Sequence, residues 1–185
     1  NLLLLMIFGS APVIIAGAIL YKTNLISYLR NIEIIAWTTL IFAILLYFAD
    51  KFEVNKKLNA KLDFKTIFVI GCFQILALIP GVSRSGIVIT AGRFLKFDRY
   101  DSTKISFYLS IPAIAGASFL GFKDLYKETT DFNYMILLTV LLSYFFSYFT
   151  IKFFLIFVKR FDLKLFVIYR AVSYTHLTLP TTSSV

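Results

Sequence analysis

The sequence predicts an all-α polytopic membrane protein, and three observations predict it. The 185 residues are 59% hydrophobic and 18% aromatic with only 16% charged, and the mean hydropathy of +0.82 lies far above that of an ordinary soluble domain. Five uncharged runs, at 2–21, 34–49, 66–83, 105–122 and 132–151, each approach the roughly 20 residues an α-helix needs to cross a bilayer. No run alternates polar and apolar residues with the period of two that a barrel strand requires, so helices are the spanning element. A soluble fold is excluded.

The elements follow in order. A first helix over 2–21 carries Pro12 in mid-span, which opens a gap in its hydrogen bonding unless neighbours satisfy the freed carbonyl. Lys22, Asn24, Arg30 and Asn31 then form a polar turn, and a second helix covers 32–49. Residues 50–65 hold five Lys against three acids and read as an aqueous loop or an interfacial helix. The segment 66–95 is too long for one untilted crossing and is broken at Pro80-Gly81 and again by Arg84, which fits a re-entrant helical hairpin. Charge supports that topology: it puts eleven Lys and Arg on one side of the membrane and four on the other, whereas a single crossing splits them seven to eight. The eleven-residue side then faces the cytoplasm. Further helices cover 105–122 and 132–158, and a truncated one 165–172. Residues 1–172 thus form a single, partial transmembrane domain.

From Ser173 the chain reads SYTHLTLPTTSSV. Hydroxyl residues and Pro180 replace the apolar pattern, so 173–185 is expected to be a non-native or disordered tail, similar to translated read-through of a sequencing adapter. At the other end, Asn1 leads directly into Leu2 to Leu5 without an initiator Met or a signal-peptide pattern, and is read as the start of an internal fragment.

A net charge of +9 does not point to nucleic acid, because the basic residues lie between the apolar runs, where they set orientation and meet anionic headgroups. Cys72 has no partner in the chain, so neither an internal disulfide nor a CxxC-type site forms, and a packing role is expected. Lys152 is expected to snorkel to the interface, and Asp98, Arg99, Asp101 and Lys104 to form a solvated turn. Gly116 and Gly121, with Ala113, Ala115 and Ala117, resemble a helix-packing face. The aromatic cluster Tyr144, Phe145, Phe146, Tyr148 and Phe149 is expected to face lipid or to pack.

Chemistry concentrates in Gln74 to Gly92, QILALIPGVSRSGIVITAG. An arginine at a helix centre costs about 2.5 to 3.5 kcal/mol on insertion scales, so Arg84, flanked by apolar runs, needs a partner or a water-filled cavity. Its planar fork suits phosphate. Pro80-Gly81 breaks the incoming helix, Gly86 permits close backbone approach, and the next helix aims free N–H groups at whatever lies beside Ser83 and Ser85. Together these donors suit an anionic, phosphorylated ligand; an acid from another helix would also satisfy Arg84.

Pro80-Gly81-Val82-Ser83-Arg84-Ser85-Gly86, preceded by Gln74 and Leu76-Ala77-Leu78-Ile79 and followed by Phe107-Tyr108-Leu109-Ser110-Ile111-Pro112 and Ile168-Tyr169-Arg170, resembles the undecaprenyl-diphosphate phosphatase (bacitracin-resistance protein) family of bacterial inner membranes, over residues 1–172. The resemblance implies a multi-pass inner-membrane hydrolase, the second half of an inverted-repeat architecture, that releases the terminal phosphate of undecaprenyl diphosphate and recycles the lipid carrier for cell-wall synthesis. Arg84, Ser83 and Ser85 would carry the catalytic contacts, with Gly81, Gly86, Gln74 and Thr90 as further phosphate-binding candidates. The family's acidic motif is absent, so a divalent cation, magnesium or calcium, would find its ligands upstream of Asn1, with no metal site in this fragment and no activity expected of it alone. His176 lies in the tail and is not assigned a catalytic role. Where the family pattern has a threonine this chain has Val88. The partners implied are the isoprenyl diphosphate lipid, membrane lipids and, as an open alternative, a second copy in a homodimer. By physics alone, a transporter or scramblase of lipid-linked phosphates uses the same devices. A non-catalytic scaffold leaves Arg84 unexplained.

Overall fold

The computed structural model describes residues 2–23, 29–54, 62–125 and 134–178. Among them the elements are α1 (Leu2–Thr23), α2 (Ile32–Asp50), α3 (Phe64–Ile75) continued by a 3-10 turn (Leu76–Leu78), α4 (Arg84–Phe94), α5 (Arg99–Leu125), α6 (Tyr134–Arg160) and α7 (Lys164–Thr178). Three of these, α1, α2 and α6, are long and apolar enough to cross a membrane. This is a membrane protein.

Caps set the helix starts. The Asn31 side chain accepts from the Glu33 amide at 3.1 Å and begins α2, and Asp63 accepts from the Thr66 amide at 2.9 Å and begins α3. The broken segment parts where the sequence places the break: α3 tightens into the 3-10 turn, residues 79–83 are non-helical, and α4 starts at Arg84. The two arms pack against each other.

Lipid tails are as apolar as leucine, so helices associate in a bilayer through close fit more than through the hydrophobic effect. α1 meets α3 at Gly9 and Gly71, where a Cβ on Gly71 would fall on the Gly9 carbonyl. α1 also packs on α5, and α4 packs on α5, α2 and α3. The core between them holds Met6, Ile67, Ile70, Val82, Ile87, Val88, Phe97, Ile105 and Leu109. Pro112 withdraws from α5 the amide that would bond the Tyr108 carbonyl. One residue on, the Leu109 carbonyl accepts from the buried Ser10 hydroxyl of α1 at 3.1 Å. α7 lies along α2, and a smaller cluster of Leu46, Ile89, Val158 and Leu163 joins them to α4 and α6. α6 leans on the rest through its C-terminal half, where the Phe154 and Phe157 rings meet Phe166. Its aromatic cluster of Tyr144, Phe145, Phe146, Tyr148 and Phe149 is exposed, as lipid-facing residues are.

Several expectations are corrected. α5 begins at Arg99 and not at 105, because Asp98 caps it by accepting from the Asp101 amide at 2.6 Å. Arg99 is therefore no member of a solvated turn. It donates to both oxygens of Asp50, at 2.6 and 3.0 Å, and pairs with Asp162 at 2.7 Å. The nearly buried Arg93 lies 3.6 Å from the same Asp50 carboxylate and donates to the carbonyls of Asp50, Phe52 and Phe97. One carboxylate thus ties the ends of α2, α4 and α5 to the turn before α7.

Cys72 is exposed on the outer side of α3 and does not pack in the core. Gly116 does serve as a packing face, against Ile14 of α1, but nothing lies within 4 Å of a Cβ on Gly121. α7 does not stop at 172. It continues to Thr178, since Ser173 and Thr178 return their hydroxyls to the carbonyls four residues back, each at 2.9 Å, and so satisfy themselves within the helix. Residues 179–185, Asn24 and, within the Lys-rich stretch, residues 55–61 lie outside the described residues.

Candidate functional site

The site is the connection between α3 and α4. Gly81 takes φ +89°, a left-handed conformation that costs a side chain little only when there is none. A Cβ there would also collide with the Thr38 hydroxyl and the Ile35 carbonyl of α2. Close approach has a purpose: carbonyls freed at the end of a helix need donors where water is scarce. Thr38 donates to the Pro80 carbonyl at 2.7 Å, Thr39 to the Gly81 carbonyl at 3.3 Å, and Arg170 of α7 to the same Gly81 carbonyl at 2.7 Å.

The chain then turns into α4. Ser83 is its N-cap, the hydroxyl oxygen accepting from the Gly86 amide at 3.2 Å. Its hydroxyl lies 3.3 Å from that of Ser85, while the Ser106 hydroxyl donates to the Ser85 carbonyl at 3.5 Å. Ser83, Ser85, Gly81 and Gly86 line one cavity of about 500 Å³ with Arg170 of α7, under an apolar wall that includes Leu46, Ile89, Phe154 and Phe166.

Arg84 is not brought to that cavity. Its side chain lines a second one of about 380 Å³ on the other side of the connection, with Val13, Gly17 and Tyr21 of α1, Leu78, and Ala113 and Gly116 of α5. Arg84 makes no hydrogen bond or ion pair among the described residues, and the ion pairs there all centre on Asp50 and Asp162. Neither cavity is lined by a carboxylate.

Two further candidates are not brought to either cavity. Gln74 is fully buried with its amide unpartnered among the described residues, and Thr90 is buried with its hydroxyl committed to the Gly86 carbonyl at 2.8 Å. Val88, at the position of the resembling family's threonine, is buried in the main core and faces neither cavity.

Sequence reasoning took Arg170 only as a landmark and did not single out Thr38 or Thr39. A pair of threonines in an otherwise apolar helix was the available signal. As for a divalent cation, no group of His, Cys, Asp and Glu suited to hold one occurs among the described residues. These residues do not fit the ion.

A family described as bacitracin resistance protein BacA matches residues 1–173. An undecaprenyl-diphosphatase of Pelagibacter ubique is 56% identical over 173 residues, covering 93% of this chain and 68% of that protein. Undecaprenyl-diphosphatases of Elusimicrobium minutum and Thermodesulfovibrio yellowstonii are each 41% identical, over 92% of this chain and 64% and 65% of their own lengths. The chain therefore spans about two thirds of the curated relatives it matches. With a match over nearly its whole length, and with the Pro80 to Gly86 connection inside the matched region, the chain belongs to the bacitracin resistance protein BacA family.

Proposed function

We propose that the chain is the greater part of a multi-pass hydrolase of the bacterial inner membrane that converts undecaprenyl diphosphate to undecaprenyl phosphate and inorganic phosphate. The observation that carries this reading is an arginine, Arg84, at the start of a helix with no carboxylate among the described residues to neutralise it, on a connection whose Ser83 and Ser85 line a cavity on the other flank. An uncompensated guanidinium inside an apolar bundle calls for an anion, and phosphate is the anion its fork fits. The relatives' name supplies the identity of the lipid.

In the reaction, the oxygen of water bonds to the terminal phosphorus and the bridging phosphorus–oxygen bond breaks. Charge spreads over the phosphoryl oxygens, and stabilising that charge is most of what a protein contributes to such a transfer. Ser83 and Ser85 donate to its oxygens from the cavity they line, Arg84 adds positive charge from the opposite flank of the 80–86 connection, and that connection, a re-entrant turn in this reading, holds them at depth. The group that takes the proton from water, and any carboxylates for a metal, belong to an upstream part of the protein beyond these residues. Membrane lipid covers the exposed length of α6.

The test is phosphate release from a prenyl diphosphate by the full-length protein in detergent. Stoichiometric release of inorganic phosphate supports the hydrolase. Movement of the intact lipid across vesicles without cleavage would replace it with a transporter or scramblase.

A further inference from the structure

We propose that a pocket at the far end of α4, between the start of α5 and the end of α6, binds the phosphodiester headgroup of an anionic glycerophospholipid of the phosphatidylglycerol class. The pocket measures about 460 Å³ and is lined by Arg93, Asp98, Arg99 and Lys159, by the Tyr100 ring and by Val158. It is separate from the 80–86 connection. Ser83 and Arg93 stand at opposite ends of α4, about 15 Å apart at the rise of a helix.

Most of the charge in this pocket is already committed. Arg93 spends its Nη donors on the carbonyls of Asp50, Phe52 and Phe97, Arg99 gives its guanidinium to Asp50 and Asp162, and Asp98 caps α5. Two lysines are left over. The Lys159 ammonium of α6 lies 4.2 Å from the centre of the Tyr100 ring, and that of Lys104, one turn along α5, lies 5.0 Å from the same centre. Neither forms an ion pair among the described residues. A ring attracts a cation only weakly where water is near, and two like charges gathered on one ring repel. An anion seated against both lysines relieves that repulsion and can take the Tyr100 hydroxyl as a further donor. Lys159 is exposed and Asp98 half-buried, so the anion sits at the outer lip, on the lysine side.

Position selects a lipid as the source of that anion. Phe153 and Ile156 of α6, within two turns of Lys159, are exposed and offer an apolar track for an acyl chain below a basic headgroup contact. The turns at 96–104 and 159–164 belong to the side richer in Lys and Arg, which the charge bias assigns to the cytoplasm, where the leaflet carries anionic headgroups. A headgroup held by Lys159 of α6 and by Tyr100 and Lys104 of α5 also ties α6 to the rest of the bundle, on which it otherwise leans only through its C-terminal half.

The test uses full-length protein in nanodiscs of phosphatidylcholine alone or mixed with phosphatidylglycerol. Native mass spectrometry reads the lipid retained on the protein, and the melting temperature is measured alongside. The parent should retain phosphatidylglycerol in preference to phosphatidylcholine and melt higher in the mixed discs; a parent without that preference overturns the site. Lys104→Gln combined with Lys159→Gln should weaken the preference by about 10-fold or more and remove the rise in melting temperature, as loss of two basic contacts to a headgroup does. Lys51→Gln combined with Lys65→Gln takes the same charge from exposed positions on the same side and should leave the preference within about two-fold of the parent. A Lys104 and Lys159 double variant at the parental preference overturns the site. So does an equal loss in the Lys51 and Lys65 protein, which reduces the effect to diffuse surface charge. Glycerol phosphate that displaces phosphatidylglycerol at comparable concentration makes the guest a soluble phosphate and overturns the lipid assignment. Should the double variant not fold, Lys159→Gln alone decides, and parental preference in it overturns the site.

Discussion

Ser83 and Arg84 are consecutive in the chain, yet they open onto different cavities, one between α2 and α7 and the other between α1 and α5. The cause is local. Ser83 is an N-cap with extended backbone (φ −68°, ψ 122°), whereas Arg84 is the first residue of the helix. Successive residues in a helix differ in direction by about 100°. The Pro80 to Gly86 connection therefore presents donors on two flanks at once, and its function depends on being held still between them.

That restraint is exposed by Gly81→Ala. The substitution places a Cβ at φ +89° and against the Thr38 hydroxyl and the Ile35 carbonyl, the latter a backbone atom that cannot rotate away. A cost of about 1–3 kcal/mol is expected from the conformation, with a further share from the collision. Thermal unfolding in detergent should show a lowered melting temperature, together with reduced phosphate release. Parental stability and activity in Gly81→Ala would contradict the tight seating of the connection on α2.

Asp50→Asn tests the polar end of the bundle. The carboxylate is 6% exposed and holds Arg99 through both oxygens, with Arg93 alongside. Removing its charge leaves the buried Arg93 without a carboxylate and Arg99 with Asp162 alone, a loss of about 3 kcal/mol for a buried pair broken on one side. The melting temperature should fall while pyrophosphate affinity in the remaining folded protein is kept. A change in affinity with no loss of stability would place Asp50 in the site instead of the scaffold.

Val88→Thr asks whether this chain lacks a hydroxyl it needs. Val88 is buried against the main core, so a threonine there buries a hydroxyl whose nearest outlet is the carbonyl one turn back, as Thr90 already does with Gly86. The exchange should cost about 1 kcal/mol of stability and leave phosphate release no higher. An increase in release would show that position 88 reaches substrate.

The sequence made legible what hydropathy and helix-breaking residues encode. The spans at α1, α2 and α6, the break at Pro80-Gly81 and the helix that restarts after it all follow from local chemistry, and the structure has them. What it hid were partners distant in the chain. Arg99 reads as one charge in a mixed turn, because nothing nearby indicates that Asp50, 49 residues earlier, waits beneath it. Arg170 lies 89 residues from the carbonyl it holds. Gln74 looked like a ligand-binding amide among aliphatic residues, but its face of α3 turns inward with Ile67, Ile70 and Gly71. The hydroxyl-rich stretch after Ser173 looked unfit for a helix, and the return of its hydroxyls to its own carbonyls was the compensation that composition does not display.

The most direct test of the account is the rate of phosphate release from a prenyl diphosphate by full-length protein carrying Arg84→Ala, compared with the parent at equal folded concentration. A charge-stabilising contact to a phosphoryl group is worth about 10²–10³ in rate, so the account predicts a loss of that order with the melting temperature nearly unchanged. Release at the parental rate from a folded Arg84→Ala protein would contradict it.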